Sequence, residues 1–404
     1  MEVVGDWIKL ISEFKTITES YDKSCFQRRR VLDSRLLALI IMRMIQSRNR
    51  EGYSTVIRDF WERAKDFIAK LMHHKPVSQS SFSEAREKLD PQIFKDINHA
   101  LTQRDNKFLW KGHRLLAIDG SKVNLPRQLV DDGFELPVPQ AYYPQGLVSC
   151  LYDLKSRLPL DFMLDSKRDE RACAKKHLEI LGPGDVVVYD RGYHCYGLLH
   201  FHIHSQIHTI MRMETTTTFN SVKRFAQSRY KDQIVEFVPA EGSLGKIRKS
   251  NPDIEITNLK LRLVKYSAGG KEYVLATTLL DKKKYPRWSL MEVYRERWAV
   301  EEMYKSLKSV AGVEEFHGKT RIKVEQEIFA CFLLLTISRL ISNSIKVKKK
   351  QSKLQGSSLP RWNQHLGDLS RPKSRYNKQN SKNHIATKWS INTYSRKTLL
   401  PENI

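Results

Sequence analysis

The sequence predicts an α/β protein with a mixed sheet flanked by helices, and three observations support this fold class. Residues 1–110 have the apolar periodicity of helices, which predicts an all-helical N-terminal region. Short apolar runs typical of buried strands follow at Leu115–Ile118 and Val186–Tyr189. Further runs rich in β-branched residues between residues 206 and 284 predict a β-rich insertion.

The length of 404 residues exceeds a single typical core and predicts two or three units. The order of the elements divides the chain further into five predicted segments, called units below. The C-terminal stretch from Ser342 to Ile404 contains 14 Lys and Arg residues and 2 acids. Its few apolar side chains cannot bury enough surface to offset the loss of conformational entropy on ordering, so we expect it to be flexible. The units are residues 1–110 (helical), 111–205 (first part of the core), 206–284 (insertion), 285–345 (second part of the core) and 346–404 (basic, flexible tail).

Four functional side chains are spaced so that they share one side of a single predicted helix. At roughly 100° per residue, steps of 3, 4 and 7 residues place all four within about 60° of arc. The opposite side is apolar, so the helix can pack on a core while the four point outward. Such a face suits a metal ion beside a phosphate backbone, and the alternative is a solvated face with incidental charges. The four residues are Tyr294, Arg297, Glu301 and Lys308.

Two further carboxylates follow apolar runs upstream. Asp119 ends the run Leu115–Ile118 and precedes Gly120, and Asp190 ends the run Val186–Tyr189. An acid at a strand end has its backbone held by the sheet while its side chain faces an open edge. The alternative for each aspartate is a turn former or a helix cap.

Three carboxylates on rigid elements are the ligand type that hard cations such as magnesium and manganese prefer. Two such ions, about 3.5–4 Å apart, can activate an attacking oxygen and stabilise the leaving one in phosphodiester chemistry. We therefore expect Asp119, Asp190 and Glu301 to bind two magnesium ions, with manganese as a substitute.

The ordered set of motifs resembles the DDE-class insertion-sequence transposases that carry a Y-R-E-K signature. The set is Asp119 in a DGS context, Asp190 in a DRGY context, and then Y-x2-R-x3-E-x6-K with every spacing intact. Trp298, the sequence FHGKT at Phe316–Thr320 and the sequence SQSSFSEAREKL at Ser78–Leu89 also resemble that family. The resemblance runs from about residue 76 to residue 342.

This resemblance implies a ribonuclease-H-like catalytic core in which Asp119, Asp190 and Glu301 are the catalytic, metal-binding triad. It also implies cut-and-paste transposition: one strand is hydrolysed at the transposon end, and the freed 3′-hydroxyl attacks the opposite strand to give a hairpin. The hairpin is opened, and the 3′-ends then attack target DNA. The residues expected to contact DNA are Tyr294, Arg297, Lys308, Trp298 and Arg191.

The expected partners are transposon-end DNA with inverted repeats, target DNA and a second copy of the chain, because two ends must be joined. The formal net charge of +25 agrees with a nucleic-acid substrate. The longest apolar run, Ile328–Leu335, is far shorter than the roughly 20 residues that span a bilayer, and the N-terminus lacks the features of a signal peptide. We therefore expect a cytoplasmic, nucleoid-associated bacterial protein without a membrane role.

Alternative functions stay open at this point. One is a catalytically silent, transposase-derived DNA-binding protein, and another is a metal-dependent nuclease of the same fold. Residues 1–110 either bind the terminal repeats or brace the core. The five cysteines include no C-x-x-C pair, so zinc is not favoured, and we expect them to be reduced.

Overall fold

The computed structural model contains one mixed sheet of eight strands in the order β3-β2-β1-β4-β5-β8-β7-β6. The residues that the structure describes are 2–26, 31–46, 51–103, 108–216, 219–239, 241–250, 255–309 and 312–352. The strands are β1 (Leu115–Asn124), β2 (Gln145–Asp153), β3 (Leu158–Asp165), β4 (Val186–Tyr189), β5 (His208–Met213), β6 (Asp232–Phe237), β7 (Leu259–Ala268) and β8 (Lys271–Thr277).

Helices surround this sheet and make up the N-terminal region. Within the described ranges they are α1 (Glu2–Cys25), α2 (Ser34–Gln46), α3 (Tyr53–Ala64), α4 (Ala69–Met72), α5 (Gln79–Lys88), α6 (Gln92–Thr102), α7 (Glu170–Leu178), α8 (Tyr196–His204), α9 (Asn220–Gln227), α10 (Glu241–Ser250), α11 (Arg287–Glu296), α12 (Trp298–Ser309) and α13 (Arg321–Ser352). None of the described helices is both long and apolar enough to cross a membrane.

Strands β1 to β5 form the part of the sheet that carries the predicted acids. β1, β2 and β3 pair antiparallel, whereas β4 lies parallel to β1 and β5 parallel to β4. The fold class predicted from the sequence is confirmed: a ribonuclease-H-like core with a mixed sheet, a β-rich addition and an all-helical N-terminal region.

The β-rich segment predicted at residues 206–284 is part of this same sheet. Its first strand, β5, pairs directly with β4, and β8, β7 and β6 extend the sheet outward from β5. The segment also contains helices α9 and α10, which the sequence analysis did not predict. β5 therefore belongs structurally with the core strands, because its pairing partner lies upstream of the proposed boundary.

The two faces of the sheet have different coverings. On one face, Leu116 and Ile118 of β1 pack in a core with residues of α7, α8 and α9. On the other face, Phe162 of β3 stacks on Phe332 of α13, with ring centroids 4.5 Å apart. Because side chains alternate along a strand, Asp119 lies on this second face, away from α7 and α8.

The N-terminal helices are joined to the rest of the molecule by a buried ion pair. Arg86 of α5 is fully buried, and its Nη2 donates to Glu327 Oε1 of α13 at 2.8 Å. Its guanidinium also donates to Gln326 Oε1 and to the Tyr53 hydroxyl. Ser78 caps α5, as the serine-rich start of that segment predicts, by accepting from the Ser81 backbone N–H. These contacts support a bracing role for the helices and leave DNA binding by them a prediction.

Candidate active site

Asp119 and Asp190 lie level with each other on neighbouring parallel strands. Leu115 pairs with Val186 and Ala117 pairs with Val188, an offset of 71 residues (186 − 115). The two aspartates have the same offset and follow the last paired residues, Ala117 and Val188, by two positions. Residues in register on parallel strands point to the same face, which places the two carboxylates on the side of the sheet that α11 and α12 cover.

Asp119 lies within β1 and not at its end, which corrects the sequence prediction. The strand continues to Asn124 because β1 remains paired with β2, where Asp119 faces Cys150. Only the pairing with β4 stops before Asp119, and this leaves its side chain beside an open edge. A Cβ at Gly120 would lie 2.7 Å from Leu147 Cδ1, so a larger residue here would require the Leu147 side chain to shift.

Burial raises the pKa of Asp119 to about 6, although the positive charge of Arg297 and the Gly120 N–H lower it. Its Oδ1 accepts from the Gly120 backbone N–H at 3.0 Å. Glu301 and Glu170 add to the rise through charge repulsion. The carboxylate therefore lies in a negative, partly dehydrated environment that favours a proton or a cation as partner.

Asp190 follows the last residue of β4, as predicted. It precedes a short 3-10 turn at Arg191–Tyr193, but its side chain makes no capping hydrogen bond to that turn. Its Oδ1 accepts from the Tyr294 hydroxyl at 3.2 Å and lies 3.7 Å from Arg212 Nε. The carboxylate is therefore held by side chains from two other elements, and the helix-cap alternative does not describe it.

The predicted single helix from Tyr294 to Lys308 is two helices that meet at Arg297, and this corrects the sequence analysis. Arg297 keeps helical dihedral angles, but its N–H bonds to the carbonyl of Tyr294, three residues back. The N–H of Val300 likewise bonds three residues back, to the Arg297 carbonyl. This local tightening separates α11 from α12 at the residue whose side chain turns towards the acids.

Tyr294 and Arg297 face the interior, not an outer surface as predicted. Only 7% of Tyr294 and 6% of Arg297 are exposed. Arg297 Nη2 donates to Glu301 Oε1 at 2.6 Å, and its Nη1 lies 3.6 Å from Asp119 Oδ2. The buried phenol and guanidinium thus connect all three predicted acids: Tyr294 contacts Asp190, and Arg297 contacts Asp119 and Glu301.

The other predicted DNA contacts are on the surface. Lys308 is exposed at the end of α12, where its Nζ donates to the Lys122 carbonyl oxygen at 2.6 Å. Trp298 is 58% exposed, and Lys305 Nζ lies 5.7 Å from the centre of its ring system. Arg191 is exposed in the turn after β4, with its Nη1 3.5 Å from Glu214 Oε2. These three side chains are available to a ligand, and the structure does not bring them into the group around Arg297.

Three residues that the sequence analysis did not single out support the site. The Tyr304 hydroxyl of α12 lies 2.9 Å from each of the carbonyl oxygens of Asp119 and Val148, which fixes α12 on β1 and β2. Arg171 donates twice to the Gly192 carbonyl and holds the turn after Asp190. Glu170 is half-buried beside this turn. Tyr304 follows Glu301 by three residues, which places it near the same side of α12, and this spacing was the available signal.

Glu170 adds a fourth carboxylate to the region. Burial raises its pKa, the Lys122 ammonium lowers it, and the charge of Asp190 raises it. A Cβ on Gly192 would lie 3.4 Å from Glu170 Oε2, so the glycine leaves room for this side chain.

The carboxylates fit a hard cation in their chemistry, and one observation shows that they accept a positive partner. Arg297 is a buried cation that contacts Asp119 and Glu301, and its positive charge neutralises part of their negative charge. In the described part of the chain, however, no three His, Cys, Asp or Glu side chains are grouped closely enough to share a metal ion. Carboxylates are the residue type that magnesium and manganese prefer. At the distances seen in this structure, Asp119 and Glu301 contact Arg297 instead.

Comparison with known proteins found a bacterial relative. The chain is 23% identical over 281 residues to "Transposase InsG for insertion sequence element IS4" of Escherichia coli (strain K12), which covers 65% of this chain. The matched part spans 61% of the length of that relative.

A solved structure is also similar to the chain. It is titled "Cryo-EM structure of piggyBac transposase synaptic complex with hairpin DNA (SNHP)" and has 12% sequence identity. The comparison covers 89% of this chain and 82% of that chain, with a TM-score of 0.39.

A family model described as "Transposase DDE domain" matches residues 110–337, which include β1 to β8, both aspartates and helices α11 and α12. This match covers more than half of the 404 residues. The family that the sequence motifs indicated is confirmed: the chain belongs to the transposase DDE domain family.

Proposed function

We propose that this protein is a DNA transposase that excises an insertion sequence and joins its ends to target DNA. Asp119, Asp190 and Glu301 are the proposed catalytic and metal-binding residues. One observation carries the proposal. Asp119 and Asp190 lie in register on neighbouring strands, and Arg297 contacts both Asp119 and Glu301. Family membership supports the same chemistry.

The protein's own residues position the proposed triad. Tyr294 donates to Asp190 and sets its orientation, while Tyr304 anchors α12 so that Glu301 stays near β1. When bound, magnesium ions, with manganese as a substitute, supply activation of the attacking oxygen and stabilisation of the leaving oxygen. The partly buried site restricts water around Asp119, which strengthens electrostatic interactions with phosphate oxygens.

The DNA contacts proposed from the sequence divide into two groups. Lys308, Arg191 and Trp298 are exposed and can reach phosphates or an unpaired base directly, and base stacking on an aromatic ring is worth about 1–3 kcal/mol. Tyr294 and Arg297 are buried beside carboxylates, so phosphate contact by either requires its side chain to become accessible to the DNA. The net charge of +25 supports salt-dependent binding to the DNA backbone.

The assembly and route of reaction complete the proposal. A homodimer would hold the two transposon ends with inverted repeats, one per subunit, and excision would proceed through a hairpin before strand transfer. Residues 111–205 and 285–345 would supply the catalytic core, and residues 206–284 would widen the surface beside it. The tail, residues 346–404, lies mainly outside the described residues. We expect the protein to act at the bacterial nucleoid.

The test is strand transfer with purified full-length protein. Labelled duplexes carrying the inverted repeats that flank the gene are mixed with plasmid target and magnesium. We expect joined products with the wild type and a loss of at least about 100-fold with Glu301→Gln, because the negative charge of a proposed metal ligand is removed. Glu302→Gln is the matched control, since Glu302 is the neighbouring, exposed glutamate of α12.

The outcomes separate the alternatives. Cleavage of any duplex without joining would indicate a nuclease, and repeat-specific binding without cleavage would indicate a silent DNA-binding protein. Equal joining by Glu301→Gln and wild type would show that the triad assignment is wrong.

A further inference from the structure

Arg297 has an unusual position for a residue expected to bind DNA. It lies at the junction of α11 and α12, and only 6% of it is exposed. Its two terminal nitrogens contact different carboxylates, Nη2 that of Glu301 at 2.6 Å and Nη1 that of Asp119 at 3.6 Å. Both carboxylates belong to the proposed metal-binding triad, so the guanidinium neutralises the charge that a divalent cation would neutralise.

The contact with Glu301 is incompatible with full coordination by that side chain. A carboxylate oxygen 2.6 Å from a guanidinium nitrogen is in a short, charge-assisted hydrogen bond. A hard cation draws its ligand oxygens to about 2.0–2.6 Å and repels a second positive charge nearby. Glu301 Oε1 can therefore serve either the arginine or the ion, and the positive charge of Arg297 also opposes an ion bound at the second oxygen, so the two cations compete.

A second observation indicates that the present contacts of Arg297 are incomplete. Among the described residues, its Nε is buried and has no hydrogen-bond partner. A buried N–H without an acceptor carries the desolvation cost of that group with no hydrogen bond to offset it. The guanidinium also lies beside the Tyr294 ring, 5.9 Å from its centre, which leaves its planar face against an aromatic surface. Arg297 therefore retains capacity for another acceptor, such as a phosphate oxygen.

We propose that Arg297 is an internal counter-ion that positions Asp119 and Glu301 and competes with the divalent cation for them. This inference rests on the proposed function and adds a positioning residue to the same site. Without the ion, Arg297 keeps the carboxylates from repelling each other. When the ion takes Glu301, the guanidinium is released and its unused N–H groups can donate to a phosphate oxygen of the bound DNA.

The experiment measures the binding of manganese ions directly and does not depend on catalytic activity. Full-length protein is titrated with manganese while electron paramagnetic resonance counts the free ion. We expect Arg297→Gln to bind manganese about tenfold more tightly than the wild type, because a charge-assisted competitor is gone. Arg297→Lys keeps the positive charge but loses the planar, two-pronged guanidinium. We therefore expect its manganese affinity to lie between those of the wild type and Arg297→Gln.

Thermal unfolding provides a second readout on the same proteins. In a chelator, Arg297→Gln is expected to melt below the wild type, since two carboxylates lose their counter-ion. Manganese should then raise the melting temperature of Arg297→Gln more than it raises that of the wild type.

A matched control separates this effect from the general loss of a buried arginine. Arg262 is fully buried and pairs with Asp232 at 2.6 Å on the outer part of the sheet. Arg262→Gln is expected to lower the melting temperature without changing the manganese affinity. Arg63→Gln, at an exposed arginine of α3, is a surface control with the same change of charge if Arg262→Gln does not fold.

The outcomes distinguish this inference from the proposed function. Manganese binding that is unchanged in both Glu301→Gln and Asp119→Asn would refute the proposed site itself. Loss of binding in those variants, together with equal or weaker binding in Arg297→Gln and Arg297→Lys, would overturn only the counter-ion role. If neither Arg297 variant folds, wild-type protein with isotope-labelled arginine is titrated with magnesium and followed by nuclear magnetic resonance. No change in any buried arginine Nε–H resonance would overturn the proposal.

Discussion

Arg297 and Glu301 are joined by a hydrogen bond of 2.6 Å across the junction of two helices. Arg297 ends α11 and Glu301 lies in the first turn of α12. An i to i+4 pair on an exposed helix is worth only about 0.3–0.5 kcal/mol. Here the arginine is buried and also faces Asp119, so the pair organises the proposed active site and is not a surface contact.

Asp119 makes the stability of the protein depend on pH in an unusual direction. Its pKa is raised from 3.8 to about 6 in the folded state, so the folded protein binds this proton more tightly than the unfolded chain. The resulting stabilisation is complete below pH 3.8 and is lost as the pH rises to about 6.

In a chelator, the free energy of unfolding of the wild type should therefore fall relative to that of Asp119→Asn by roughly 2–3 kcal/mol between about pH 4 and pH 7. Urea unfolding of both proteins across this range is the measurement. An opposite slope of the difference would contradict the raised pKa.

The buried Arg86–Glu327 pair should dominate the stability of the junction between the N-terminal helices and α13. Arg86→Met leaves the buried Glu327 carboxylate without its guanidinium partner, and breaking such a pair costs about 3–5 kcal/mol. We expect this loss in the free energy of unfolding measured in urea. Arg63→Met is the control, because the Arg63–Asp59 pair is exposed and such pairs contribute about 0–1 kcal/mol. Equal losses in the two variants would contradict the assignment.

Gly318 is required by close packing in the FHGKT segment. A Cβ at this position would lie 2.2 Å from Lys323 Cβ, so Gly318→Ala must shift the start of α13. The segment also holds Glu327 through the backbone N–H groups of His317 and Gly318. We expect a loss of roughly 1–3 kcal/mol in thermal or urea unfolding.

Gly242→Ala is the comparison for this substitution. It adds a methyl group in open space on α10 and should leave stability unchanged or raise it by up to about 1 kcal/mol. A similar loss in the two variants would show that packing against Lys323 is not the cause.

DNA binding should be strongly dependent on salt, and Lys308 should carry one part of that dependence. If Lys308 contacts a phosphate, Lys308→Ala should reduce the slope of log affinity against log salt by about 1. Fluorescence anisotropy with a labelled end duplex at several salt concentrations measures this slope. Lys65, an exposed lysine paired with Glu62, lies in the N-terminal region, so Lys65→Ala should retain the parental slope if those helices only brace the core. An unchanged slope for Lys308→Ala would exclude this phosphate contact.

The sequence by itself predicted the fold class, most of the core strands and the residues of the proposed site. Apolar runs such as Val186–Tyr189 predicted strands correctly because burial on both faces requires continuous apolar side chains. The ordered motifs around Asp119, Asp190 and Glu301 indicated the family, which comparison confirmed.

Only the tertiary structure decided how these parts meet. Periodicity gave Tyr294 and Arg297 an outward direction, whereas both are buried because carboxylates from distant strands offer them charged partners. The register that places Asp119 level with Asp190, the pairing of β5 with β4 and the support from Tyr304 depend on contacts between residues far apart in the chain. Such contacts produce no periodic pattern in the local sequence, because their energy comes from pairing and packing that exist only in the folded molecule.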